Sequence, residues 1–263
     1  MLKFDFLMVF VRRNIEIYVQ GMSNLIQHTT ELAMHIAKEY IRPSGLVIDA
    51  TCGNGHDTLT LAKVIWPIDP GASLSGTDSN LQKAGRLTDG GAVLQKAGAA
   101  RLLAFDVQKA AIESTRTALI EAGFGAQMDS GQIVLIQDDH ANMAEHINVL
   151  CGWSADDHAN TADPTTGACL VVFNLGYLPG GGKQITTESA STLRAVEAAL
   201  DLLSKDGLIC ITMYSGHEAG AKEKQALLAF AEELDSRIFH AAYINMINQA
   251  NDPPEILLIS RKC

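Results

Sequence analysis

The segment Val47-Ile48-Asp49-Ala50-Thr51-Cys52-Gly53-Asn54-Gly55-His56-Asp57-Thr58-Leu59 constrains the fold more than any other part of the chain. An apolar run of buried-strand type passes into a bend of small residues and then into a helical stretch. Small residues let the backbone approach a bound group, and free N–H groups at a helix start can hydrogen-bond it. Strand, tight bend and helix in this order open an α/β sheet. A plain strand–helix turn has the same composition, so the bend needs partners elsewhere in the chain before it signifies a binding site.

The remaining text alternates in the same α/β fashion. Strands are expected at 46–49, 102–105, 133–136, 169–173, 207–213, 239–246 and 256–260, and helices at 24–41, 57–65, 108–122, 187–204 and 218–235. These elements suit one open, mostly parallel sheet with helices on both faces. The last two strands leave no room for a helix between them, so an antiparallel pair is expected there. Residues 1–21 read as an extension, and residues 22–263 as one domain carrying insertions at about 66–100 and 151–167. The first insertion repeats Leu-Gln-Lys-Ala-Gly at 81–85 and 94–98, too little for a repeat architecture.

Apolar residues form 47% of the 263-residue chain and charged ones 19%, enough to bury a substantial core. A formal net charge of −10 argues against a whole surface that grips nucleic acid, but leaves room for a local basic patch. The five cysteines are odd in number and include no C-x-x-C pair, which fits a reduced, cytoplasmic compartment without a disulfide framework or metal site. The apolar start at 1–10 precedes Arg12 and Arg13, the reverse of a secretory signal, and no apolar run reaches membrane-spanning length.

The nicotinamide fingerprint G-x-G-x-x-G fails in the bend, because Thr58 stands where the third glycine belongs. Asp49, four residues before Gly53, better matches the acid-x-G-x-G-x-G pattern of S-adenosylmethionine-dependent methyltransferases, with Thr51 in the first glycine's place. Such a site needs a second acid for the ribose hydroxyls. Asp78 has the usual spacing of roughly 20 residues from the bend. Asp106 ends a better apolar strand and precedes a better helix. The residues alone leave the two in contest.

Further on, the apolar run 170–173 ends in Asn174-Leu175-Gly176-Tyr177-Leu178-Pro179-Gly180-Gly181-Gly182. An asparagine at the carboxyl end of a central strand faces the crevice where such sheets bind ligands. Its carbonyl accepts a hydrogen bond without titrating, which suits it to orient an amine. The segment loosely resembles the Asn-Pro-Pro-Tyr of methyltransferases that modify exocyclic amino groups.

Together, Asp49-Ala50-Thr51, Gly53 to Thr58, Ala104 to Gln108, Ala111, Thr115, His140, Phe173 to Gly181, Thr186, Tyr214, Gly216-His217, Gly220, Asn248-Gln249 and Pro253-Pro254 resemble the YtqB-like family of class I methyltransferases, the rRNA methylases. The resemblance covers roughly residues 28–262, apart from the insertions. It implies a Rossmann-like seven-stranded sheet with an antiparallel last strand, S-adenosylmethionine as cofactor, and Asp106 as the ribose ligand. It also implies an RNA substrate, namely the aminomethyl group of a wobble 2-thiouridine in tRNA, with rRNA or a small-molecule amine as alternatives. On this reading Asp49, Thr51, Cys52, Gly53, Asn54, Gly55, Asp57 and Thr58 surround the methionine part. Val107 and Gln108 flank the adenine, as do Asp139 and His140; Asn174 and Gly176 complete the cofactor set. Asn174 and the Leu175 carbonyl are expected to hold the amine, Tyr177 to stack on a base, and His140 or His217 to take a proton. Lys183, Arg194, Lys222 and Lys224 are candidates for phosphate contacts, against the plainer reading of a solvated face. Cys52 is set aside as a nucleophile, since nothing marks it as activated. A nicotinamide-dependent oxidoreductase and a cofactor-binding scaffold without turnover are the rival readings, and a homodimer is left open.

Overall fold

The computed structural model describes residues 28–67, 101–152, 167–176, 189–250 and 252–262. The extension at 1–21, Asp78, both pentapeptide repeats, Tyr177, Lys183 and Thr186 lie outside these residues. Seven strands form one sheet in the order β3-β2-β1-β4-β5-β7-β6. They are β1 (Leu46–Asp49), β2 (Arg101–Asp106), β3 (Ile133–Gln137), β4 (Ala168–Leu175), β5 (Leu203–Met213), β6 (Phe239–Ile244) and β7 (Glu255–Arg261). Neighbours from β3 to β5 are parallel, and β7 runs antiparallel to both β5 and β6. The expected antiparallel ending is therefore present, with β7 inserted between β5 and the edge strand β6.

Successive residues of a strand point to opposite faces, and the core divides accordingly. Ile48, Phe105, Val171 and Ile211 meet the helices α5 (Met143–Cys151), α6 (Ser189–Leu202) and α7 (Glu218–Glu232) through Met143, Ile147, Val196, Ala199 and Leu227. Val47, Leu102, Leu170, Val172 and Cys210 meet α1 (Thr29–Lys38), α2 (His56–Ile65) and α3 (Lys109–Glu121) through Ala33, Ala37, Leu61, Ala62 and Leu119. Near-continuous apolar strands such as 170–173 are what a sheet covered on both faces requires.

Two helices escaped the sequence pattern: α4 (Gly125–Asp129), a single turn, and α5. The polar stretch Asp138-Asp139-His140 before α5 forms part of a 3₁₀ turn (His140–Asn142) capped by Asp139, whose carboxylate accepts from the Ala141 N–H at 2.9 Å. Gly152 then ends α5 in a left-handed conformation. β5 begins at 203, earlier than expected, because a register shift lets Leu203 pair with Ala168 before Leu208 pairs with Leu170. Among the described residues no helix is long and apolar enough to cross a membrane.

From β1 the chain winds outward to β2 and β3, then returns to place β4 on the other side of β1. At this reversal the connections leave in opposite directions, and a crevice opens outside the carboxyl ends of β1 and β4. The Asp49 end of β1 and the Asn174 end of β4 meet there, Asp49 pairing with Val172.

Candidate active site

The bend after β1 has the shape its glycines permit. Gly53 and Gly55 take positive φ of 50° and 83°, which L side chains rarely adopt. Packing imposes a second demand at Gly55, where a Cβ would lie 2.8 Å from the Thr115 Cα of α3. The bend is tied down from several sides. Cys52 N–H donates to the Phe105 carbonyl at 2.8 Å, Gly53 N–H donates to Asp106 Oδ2 at 3.0 Å, and Thr115 Oγ1 donates to the Gly53 carbonyl at 3.1 Å. Asp106 also receives the Gln108 N–H on Oδ1 at 2.9 Å. Two N–H donors thus fix its carboxylate against the bend. Beside it Val107 is 50% exposed, an apolar surface suited to a flat base. Asn54 is exposed at the tip of the bend.

Asp49 stands behind the bend and does not face the crevice. It is buried, and its oxygens accept from Thr51 N–H at 3.1 Å and from the hydroxyl of buried Thr58 at 2.5 Å. Asp49 and Thr58, expected around the cofactor, are both buried and hydrogen-bond each other behind the bend. Burial, with the repulsion of nearby Asp57, raises the Asp49 pKa to about 7. Burial and the Asp49 charge push the Cys52 thiol up to about 12, so at neutral pH it is no nucleophile.

Asn174 is bound to the bend at two points. Its backbone N–H donates to Thr51 Oγ1 at 2.7 Å, and its Nδ2 donates to Asp57 Oδ2 at 3.1 Å. The next carbonyl, Leu175 O, accepts the Tyr214 N–H at 3.2 Å. Leu175 itself is buried, and this hydrogen bond uses one of its carbonyl's two lone pairs. Gly176 lets the Tyr214 ring lie close, since a Cβ there would be 3.2 Å from its Cδ2. Burial and Asp57 raise the Tyr214 pKa, opposed by a hydrogen bond from the Asn174 side chain.

His140 is buried under the bend. Its Nδ1 lies 3.2 Å from the Ala50 carbonyl, which only accepts, so Nδ1 carries the proton and Nε2 the lone pair. Burial lowers the His140 pKa despite Asp139 beside it, so the ring is neutral. It packs edge-on against Phe173, and Nε2 is buried without a hydrogen-bond partner. Burial pushes the Asp139 carboxyl up, but the Ala141 N–H, the Ser191 hydroxyl, His140 and Arg194 outweigh it and leave a lowered pKa. The other histidine, His217, caps α7 by accepting the Gly220 N–H on Nδ1 at 2.7 Å, which commits that lone pair to the fold. Lys222 and Lys224 are paired with Glu218 and Glu255, each at 2.7 Å.

A narrow cleft runs from this cluster under α1, lined by Thr30, Ala33, Met34, Asp57, Asn174 and Thr212. The share of α1, of Tyr214 and of Ser191 was not assigned from sequence. Tyr214 had a signal, following directly on the strand run 207–213, whereas Thr30 and Met34 sit in an ordinary helical rhythm.

These features fit an adenosyl cofactor with a charged amino-acid tail. They are the glycine bend under positive φ, a braced carboxylate at Asp106, the open apolar face of Val107, and the orphaned Nε2 of His140.

Comparison with known proteins agrees. The family model described as "Putative rRNA methylase" matches residues 102–260. The chain is 31% identical over 233 residues to the tRNA (mnm(5)s(2)U34)-methyltransferase, chloroplastic, of Arabidopsis thaliana, a match covering 89% of this chain and 69% of that protein. Among solved structures it resembles the "putative rRNA-methylase" of Clostridium thermocellum, at 28% identity and a TM-score of 0.65, over 89% of this chain and 97% of the other. It also resembles a "putative methyltransferase" of Streptococcus mutans in complex with SAH, at 26% identity and a TM-score of 0.61, over 89% and 98% of the two chains.

Proposed function

Since this chain belongs to the rRNA methylase family and is an S-adenosylmethionine-dependent methyltransferase, we propose that it N-methylates the aminomethyl group of a wobble 2-thiouridine in tRNA. The observation that carries this reading is the Asn174 amide held against the bend by Thr51 and Asp57. The printed substrate of the Arabidopsis thaliana relative supports it.

S-adenosylmethionine, when bound at the bend, would supply an electrophilic methyl group on its sulfonium sulfur. In-line displacement of this kind is governed by alignment, so the chain's work is positioning. Thr51, Cys52, Gly53, Asn54 and Gly55 cradle the methionine part, with Asp49 and Thr58 holding their shape from behind. Asp106 takes the ribose hydroxyls, with Val107 and Gln108 along the adenine and Asp139 near its far edge. His140 Nε2 offers a neutral acceptor within the cofactor site. Asn174 Oδ1 accepts from the substrate amine and turns its lone pair toward the methyl group, with Gly176 beside the incoming base. RNA is the partner, and a reducing, cytoplasmic setting suits the buried free thiols Cys52, Cys169 and Cys210.

The test is transfer of label from S-adenosylmethionine to tRNA that carries 5-aminomethyl-2-thiouridine. Mass spectrometry is expected to place one methyl on the exocyclic nitrogen. Transfer to rRNA or to a free amine, with none to this tRNA, would redirect the reading to those substrates.

A further inference from the structure

Asp57 stands on the second residue of α2, between the cofactor bend and Asn174, and by sequence pattern it belongs with the bend. Its contacts point elsewhere. The carboxylate lines the cleft under α1, together with Asn174, Thr30 and Met34. One oxygen accepts Asn174 Nδ2 at 3.1 Å.

An amide can be turned over about its terminal bond, exchanging a donor for an acceptor at nearly the same place. At Asn174 the backbone N–H is already held by Thr51 Oγ1, which leaves the side-chain amide as the freedom to be fixed. A carboxylate only accepts, so beside Asp57 the NH₂ must face it, and the reversed amide would set oxygen against oxygen. With the NH₂ so engaged, Oδ1 is the end of the amide left for a ligand.

We infer that Asp57 is a positioning residue that locks the Asn174 amide with Oδ1 toward the substrate amine. This rests on the proposed reading that Asn174 receives that amine. Direct pairing of Asp57 with the substrate would serve catalysis poorly, because a neighbouring carboxylate stabilises an ammonium and keeps the proton on the nitrogen that must attack. Tied to Asn174, the carboxylate orients the acceptor instead.

The experiment compares Asp57→Ala and Asp57→Asn with the unaltered protein. Single-turnover methyl transfer to the modified tRNA is measured at saturating cofactor, alongside calorimetric S-adenosylmethionine affinity. Loss of an orienting contact of this kind is expected to slow transfer by about 10- to 100-fold, with cofactor affinity changed by less than about 3-fold. Asp57→Asn is expected to fall between, because an asparagine at 57 can face the amide in either sense. A rate unchanged at saturation with affinity weakened more than about 10-fold would instead make Asp57 a cofactor ligand and overturn the inference. A readout independent of substrate is hydrogen exchange of the Asn174 Nδ2 protons, assigned by their absence in Asn174→Ala. Exchange at least several-fold faster in Asp57→Asn supports the lock, and unchanged exchange overturns it. Should the unaltered protein leave this tRNA unmethylated, the substrate reading fails while the exchange measurement still decides the lock.

Discussion

The two halves of the crevice handle negative charge in opposite ways. On the cofactor side, Asp49, Asp57 and Asp106 cluster around the bend, and among the described residues no lysine or arginine forms an ion pair with them. Their partners are N–H groups, the Thr58 hydroxyl and the Asn174 amide. On the far side, beyond β5, buried Glu255 is fully satisfied: Lys224 pairs with it at 2.7 Å, the Ser215 hydroxyl donates at 3.1 Å, and the Tyr243 hydroxyl donates to its other oxygen. The first cluster is held by neutral donors alone, and the second is a closed cross-link between β7, β6 and α7. Carboxylates are therefore satisfied by backbone, hydroxyl and amide donors in one place and by a cation in the other.

The sharpest break of this comparison is Asn174→Ala, which removes the acceptor while leaving the cofactor half intact. Methyl transfer is expected to fall by about 100-fold or more with little change in cofactor affinity, as for loss of a preorganised polar group at a reacting centre. Weakened cofactor binding with an unchanged rate would dissolve the division between the halves.

Asp106→Ala is the complementary cut. Loss of charge-assisted hydrogen bonds to the ribose is expected to weaken S-adenosylmethionine by about 2 kcal/mol in calorimetry, roughly 30-fold, with thermal stability changed little. Glu255→Gln should do the reverse. Urea unfolding at neutral pH is expected to show about 1–2 kcal/mol of lost stability, with cofactor affinity unaltered.

The smallest effects concern pH, and they carry opposite signs. Burial pushes the Glu255 pKa up, but Lys224, Tyr243 and Ser215 bring it below the ordinary value. Its stabilisation is thus present above the unfolded carboxyl pKa and lost as the pH falls. Asp49 is raised to about 7, so its contribution is complete below its unfolded value and lost as the pH climbs through about 7. Asp49→Asn is expected to flatten that loss by about 1 kcal/mol or more in ligand-free protein. A cation bound across the bend from Asp49 acts on it through the electrostatic field and favours the carboxylate. S-adenosylmethionine is therefore expected to bind more tightly as the pH passes about 7, releasing a proton that calorimetry in buffers of different ionisation enthalpy detects.

Most of the fold was legible because its signals are local. Apolar runs at 46–49, 102–105 and 170–173, and glycines at 53 and 55, speak for strands and a bend without reference to the rest of the chain. The helix α5 was masked by the polar residues of its capping turn. The contest between Asp78 and Asp106 could not be resolved from residues alone, since spacing and strand quality pointed apart. In the structure Asp106 holds the Gly53 N–H, and Asp78 lies outside the described residues. Asp49 and Thr58 were legible as motif positions, whereas their burial behind the bend depends on the folded chain.

What the linear text determined by itself is the order of elements, the positive-φ bend, and an asparagine at the end of a central strand. Each depends on neighbours a few residues away, where steric and hydrogen-bonding preferences act directly. Tertiary structure alone decided that Asn174 hydrogen-bonds Thr51 and Asp57, more than a hundred positions earlier, and that Asp49 is a buried acid near neutrality. Those outcomes depend on the crossover that lays β4 beside β1, and on which groups it removes from water.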